Sequence, residues 1–279
     1  MQNFGIQVAE GSEITNLTIP TGTSFPANDN VGEMFYRTDE NKLYIRNNTG
    51  WESVAAAPES LASVNMVVFD TNGTYSKPPN LISAEITVVG GGGGGGGVDG
   101  QGSTTAAAGG GGGGGSTGIS ILQDSEISND TTITIGLGGA GGSGNVGGSA
   151  GGTSLFGSTI TANGGFGGTG MLALANTNVN VKIGGSGGQT ITADVTIVGG
   201  SGGIGVAGGS SSSESAGGNG GSSTMGGGTY SRGGDNDGRP AVGYGSGGGG
   251  ASVNNISTNF SGGAGKTGVI TIKEYLSVL

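Results

Sequence analysis

The sequence contains no cysteine and no histidine. The first absence excludes disulfide staples and thiolate metal sites. The second excludes a Ser-His-Asp triad, an imidazole metal ligand and a near-neutral imidazole base. Charge is sparse: 19 Asp and Glu against 9 Lys and Arg give a net charge of −10. An acidic chain repels phosphate, and it lacks the basic, aromatic-interleaved pattern of glycine-rich RNA-binding segments. No apolar run approaches a transmembrane length. Residues 1–15, MQNFGIQVAEGSEIT, have neither the basic stretch nor the apolar run of a secretory signal. These absences predict no cofactor, no metal, no nucleic-acid partner, no membrane insertion and no enzymatic activity.

What is present is glycine, 71 of 279 residues, against a usual share of about 7%. Glycine brings no side chain to bury and loses the most conformational entropy on folding. A glycine-rich stretch therefore stays disordered or finds a backbone-dominated way to pack. Val and Ile supply 19 residues each, Leu 11 and Phe 7, and β-branched side chains favour strands. The expectation is a folded, helix-poor, mainly β protein.

Composition divides the chain into an N-terminal β-module, 1–57, and a glycine-rich domain, 58–279, with a joint at 55–58. In the first, residues 32–46 alternate as strand, polar turn at 39–41, and strand; Trp51 and Val54 mark a third strand. The second opens with strands at 64–69, 74–77 and 82–89, the last running into eight glycines at 90–97. Further strands are predicted at 119–122, 131–135, 179–183 and 190–198, with a closing strand at 268–273. Between them lie GGxGG tracts at 138–142, 164–168, 184–188, 199–203 and 217–221. A three-residue period matches an extended left-handed helix with three residues per turn and no internal hydrogen bonds. Where two residues in three are glycine, such polyglycine II helices can pack with backbones nearly touching and bond laterally, the third residue pointing outward. The alternative is flexible glycine linker between hairpins.

Two patterns carry a resemblance. GEMFYRTDENKLYIRNNTGWESV, residues 32–54, resembles a short β-module of phage tail-fibre and other virion proteins. FDTNGTYSKPPNLISAEITVVGGGGGGGG, residues 69–97, with GGAGKTGVITI at 262–272, resembles the glycine-rich domain found at the ends of phage tail fibres. The resemblance implies a virion protein assembled in the host cytoplasm and acting outside the cell. Residues 1–57 would join it to other fibre or tail proteins as a homotrimer. Exposed loops would bind a bacterial surface receptor, a glycan or an outer-membrane protein. A purely structural fibre spacer or capsid decoration, and an ice-binding or adhesive polyglycine protein, remain as alternatives.

The richest non-glycine patch is 228–245, GTYSRGGDNDGRPAVGYG, which gathers Tyr230, Arg232, Asp235, Asp237, Arg239 and Tyr244. Tyr and Arg are the types most enriched where a surface binds a partner. As a receptor site the patch should expose both tyrosines and both arginines at one end. As a plain turn it should pair Arg232 or Arg239 with Asp235 and Asp237 and pack the tyrosines inward. A calcium loop is the third reading, although D-N-D-G lacks the further carboxylates of an EF-hand. Segments 98–108, 172–180 and 210–216 are candidate loops. Asp124, Glu126 and Asp130 are close in sequence but sit among turn residues.

Overall fold

A computed structural model describes residues 19–27, 30–54, 61–175, 179–208 and 214–277; the expected joint at 55–58 lies outside them. The chain divides into two compact units, Met1–Ser60 and Leu61–Leu279. Strands dominate, and the described residues contain one single-turn helix, Asp124–Glu126, and no longer one.

The first unit is a four-stranded sheet in the order β1 (Thr21–Gly22), β2 (Met34–Arg37), β3 (Lys42–Arg46), β4 (Trp51–Ser53). Its tight turns follow local chemistry. Asn41 adopts positive φ between β2 and β3, and the Asn47 side chain accepts from the backbone N–H groups of Thr49 and Gly50. The core is an aromatic cluster: Phe25 stacks on Trp51 at 5.1 Å, meets Tyr44 edge-on at 4.9 Å, and carries the Arg37 guanidinium at 5.1 Å. Phe35 is buried beneath it. The Trp51 N–H is buried without an acceptor.

The second unit holds two apolar cores joined by glycine. At one end two five-stranded sheets face each other. The first has the order β18 (Val195–Ile197), β10 (Thr117–Gln123), β7 (Leu81–Val89), β22 (Val269–Ser277), β5 (Leu61–Phe69). The second has the order β17 (Thr190–Thr192), β13 (Ile160–Ala162), β12 (Ser154–Phe156), β11 (Asp130–Thr134), β6 (Gly73–Ser76). Alternation places Ala84, Ile86 and Val88 of β7 and Ile270 and Ile272 of β22 against Ile133, Phe156 and Ile160. The strand expected at 190–198 is two strands in different sheets. Asp194 turns the chain between them, its N–H donating to Ser120 Oγ at 3.0 Å. At the other end, small sheets pair β8 (Val98–Asp99) with β14 (Met171–Leu172), β9 (Thr105–Ala108) with β15 (Leu174–Ala175) and β21 (Ser252–Asn254), and β19 (Gly205–Ala207) with β16 (Asn180–Lys182) and β20 (Ser215–Ala216). They enclose a second core rich in alanine: Val98, Ala106, Ala107, Ala108, Met171, Ala173, Ala207, Ala251 and Val253.

Between the two ends the glycine tracts run up and down, bonded sideways. Along 90–98 the N–H groups donate in strict rotation to three neighbours. Residues 90, 93 and 96 donate to the carbonyls of 116, 113 and 110. Residues 91, 94 and 97 donate to 152, 149 and 146, and residues 92, 95 and 98 donate to 266, 263 and 260, all at 2.8–3.0 Å. The carbonyls of the same run accept from three other tracts, 139–142, 165–171 and 248–251. A second uninterrupted run, 109–115, behaves alike. It donates in rotation to 245–251, 163–169 and 200–203, and accepts from 90–96, 185–188 and 218–221. Each of the two runs thus has six neighbours, as in a hexagonal lattice.

That arrangement explains where glycine is continuous and where it is interrupted. A Cβ added anywhere in 90–97 or 109–115 would meet a neighbouring backbone atom at 1.9–2.4 Å. On the border tracts one direction faces solvent, and there the sequence reads GGxGG. The x residues Ala140, Phe166, Ser186, Ser201 and Asn219 are all exposed, Phe166 at 58% despite its size. Outward pointing of the third residue, expected from the repeat, is met at all five tracts. The two interior runs bury no side chains, so pairing is what sustains them. One buried amide left unpaired costs about 1–3 kcal/mol, and these two runs alone bury fifteen.

A polar contact ties the first core together. Glu274 of β22, 4% exposed, accepts from Tyr75 Oη at 2.7 Å and Asn65 Nδ2 at 2.8 Å. Burial, then the bond to Glu274 and its charge, push the Tyr75 phenol above its ordinary value.

Two outcomes follow from the packing. In thermal unfolding, Gly94→Ala or Gly112→Ala should lower the midpoint by about 10 °C or prevent folding, because a methyl group would enter backbone. Gly227→Ala, with open space around its Cβ, should change stability by less than about 0.5 kcal/mol. In alkaline titration, a phenol whose folded pKa is raised contributes stability below its unfolded value, about 10, and loses it as pH rises. Tyr75→Phe should therefore be less stable than the parent by about 1 kcal/mol at neutral pH and lose stability less steeply above about pH 10.

Candidate functional site

The 228–245 segment adds an outer layer to the lattice. Its first limb lies along the border tract 217–221, Gly220 donating to the Thr229 carbonyl at 2.8 Å and Gly217 to that of Arg232 at 3.1 Å. The chain turns at 233–236, where Gly234 has φ +81°. It returns through 238–241 along two other tracts, with Gly249 donating to the Arg239 carbonyl at 2.9 Å and Ala241 to that of Ala264 at 2.9 Å. Glycine at 238 lets this limb seat closely, since a Cβ there would meet the Gly249 carbonyl at 2.0 Å.

The two aspartates are structural in their contacts. Asp235 Oδ1 accepts from the Asn254 N–H at 2.7 Å and Asp237 Oδ1 from the Ser261 N–H at 2.8 Å. Each fastens the turn to a neighbouring segment of the alanine-cored end. The Asn236 side chain closes the turn on the Gly233 carbonyl at 2.8 Å. Neither aspartate pairs with an arginine. Arg239 instead lays its guanidinium over the ring of Tyr230, 3.9 Å from the centroid, a cation–π contact. Its Nε–H is buried with no acceptor. Tyr230 is 59% exposed and Arg232 is exposed as well. Arg232, Asp237, Gly238, Arg239, Pro240 and Val242 line an open hollow of about 410 Å³.

The six residues predicted as a site are therefore not one cluster. Arg232, Asp237 and Arg239 share the hollow, Tyr230 stacks on Arg239, and Asp235 anchors the turn beside them. Tyr244 belongs elsewhere. It precedes Gly245, which lies against Val89 and the Gly90 carbonyl at the start of the eight-glycine run, while Asn236 pairs with Ser252 beside the end of that run. Seven residues of extended chain at about 3.1 Å each separate the two by roughly 20 Å. Tyr244 is half-buried, and its carbonyl accepts from Ser223 Oγ. Sequence reasoning passed over Pro240 and Val242, although an apolar side chain 87% exposed beside two arginines is a common mark of a contact surface.

The alanine-cored end carries further turns, at 100–104, 143–145 and 255–259, joined by side-chain contacts such as Asn255 Oδ1 with the Thr104 N–H at 3.1 Å. A cavity of about 620 Å³ there is lined by Val179, Val206, Glu214, Ser215 and Asn254 among others. The carboxylates nearest in sequence at the opposite end are each engaged locally: Asp124 with Lys77 at 2.9 Å, Glu126 with the Gln123 N–H, and Asp130 with Ser76 Oγ at 2.7 Å.

No curated protein matches the chain at a significant level. The family model of the glycine-rich domain matches residues 69–275, a span that contains both apolar cores and every tract of the lattice. The chain belongs to the glycine-rich domain family.

Proposed function

We propose that the chain is a structural and receptor-binding component of a bacteriophage tail fibre or fibre tip. Residues 1–57 attach it, as a homotrimer, to other fibre or tail proteins, and loops of the glycine-rich unit contact the host surface. On this reading the tracts are polyglycine II helices. Support comes from the three-residue rotation of their hydrogen-bond partners and from the absence of positive φ in 90–97 and 109–115, which fits the left-handed form.

The observation that carries the reading is the division of labour between the two ends. The end entered by β5 is closed by two five-stranded sheets and a large aliphatic core. The other end is a set of short turns on an alanine core, held by a support that has almost no side chains of its own to vary. Binding residues concentrate on loops positioned by a rigid scaffold. The exposed residues there mix apolar and charged types, among them Leu172, Val179, Val181, Arg232 and Asp235, a composition suited to a macromolecular surface. In the N-terminal unit, exposed Val31, Ile45 and Val54 supply apolar surface for self-association.

Immunogold labelling of virions with antibody against this chain, with light scattering of the purified protein, tests the proposal. Gold at the fibre ends and a mass of three chains are expected. Gold over the capsid would favour a decoration protein, and particles without label would overturn the assignment.

A further inference from the structure

The hollow beside Tyr230 holds an unbalanced donor set. Two arginines, Arg232 and Arg239, line it together with one aspartate, Asp237, in a chain whose overall charge is −10. Asp237 commits one oxygen to the Ser261 N–H and Asp235 one to the Asn254 N–H. Among the described residues, neither arginine side chain has a hydrogen-bond acceptor or an ion-pair partner. Arginine offers five N–H donors in a planar fork that matches a carboxylate or phosphate two bonds at a time.

The fork is also held in place. Arg239 is fixed at both ends: its carbonyl accepts from Gly249 of the lattice, and its guanidinium rests on Tyr230. Pro240 restricts the backbone that follows. A side chain already immobilised loses little entropy on binding. Tyr230 keeps exposed ring area beside Arg239, apolar surface of the kind that packs against a sugar ring. A site for a neutral glycan would not require two unpaired arginines, and a purely structural Arg–Tyr stack would not require Arg232 at the same hollow.

Resting on the host-attachment reading and naming the chemistry of its receptor, we propose that this hollow binds an acidic group of a cell-surface polysaccharide, a carboxylate or phosphate borne on a sugar. Arg239 holds the group through paired N–H bonds, Arg232 adds the second positive charge, and Tyr230 packs against the ring that carries it.

The test is equilibrium binding of the full chain to a hexuronate-containing oligosaccharide, to a phosphorylated oligosaccharide, to the neutral counterpart of each, and to inorganic phosphate alone. At least one acidic oligosaccharide should bind, and its neutral counterpart roughly tenfold more weakly or less well still. The affinity should fall between about 0.05 and 0.5 M NaCl. Arg239→Gln and Arg232→Gln should each weaken binding by roughly tenfold, with the melting temperature of the exposed Arg232→Gln variant unchanged. Which oligosaccharide binds tells carboxylate from phosphate. Equal affinity for acidic and neutral forms, binding unaffected by both substitutions, inorganic phosphate binding as tightly as the saccharide, or no binding to any saccharide would each overturn the proposal. Gold at the fibre ends together with failure here removes the subsite and leaves attachment standing. Acidic-saccharide binding with unlabelled virions removes the fibre assignment instead.

Discussion

A backbone amide buried away from water must find a partner, and in a run of glycine the only partners within reach are other backbones. Every N–H of 90–97 and 109–115, and every carbonyl of 91–97 and 109–114, bonds to a neighbouring tract. Successive residues point in three directions, so each run needs three acceptors and three donors around it. Everything else in the second unit serves to bring those neighbours alongside. The GGxGG tracts tolerate a side chain on the solvent side and carry one at their central position. The two interior runs have no solvent side and carry none.

Such an interior contributes little hydrophobic stabilisation, because glycine offers almost no apolar area to bury. The apolar contribution is placed at the two ends instead. Ile86, Ile133, Phe156, Ile160 and Ile270 fill one core, and a set of alanines with Val98, Met171 and Val253 fills the other. The interior runs 90–97 and 109–115 are therefore each flanked by strands at both ends while their middles are set by hydrogen bonds. The consequence for function is a support whose turns can change sequence without disturbing it. The 228–245 segment illustrates this: its limbs bond to the lattice, its aspartates fasten the turn, and Arg232, Tyr230 and Val242 are left to the solvent.

Much of this was legible in the residues. Aromatic and β-branched alternation gave the strands of the N-terminal sheet, and the GGxGG repeat gave the outward direction of Phe166, Ser186 and Ser201. What could not be read was which tract lies beside which. Pairing between strands is normally specified by side-chain pattern, and glycine provides none. The alanine core escaped notice for a related reason, since residues 105–108 read as connector when their burial depends on tracts far away in sequence. Asp194 inside a β-branched stretch was the available signal that 190–198 divides into two strands. Of the six predicted residues, five lie in or beside the hollow and one does not. Tyr244 lies five residues beyond Arg239, where the chain has moved on toward the start of the eight-glycine run.

The second unit depends on the pairing of its interior glycines, and amide hydrogen exchange resolved along the chain measures that pairing. If 90–97 and 109–115 are bonded on all sides, their amides should exchange only through opening of the whole unit, as slowly as those of Ile86 and Ile270 in the main core. Exchange of these runs at the rate of an open glycine linker, while the flanking strands remain protected, would contradict the lattice.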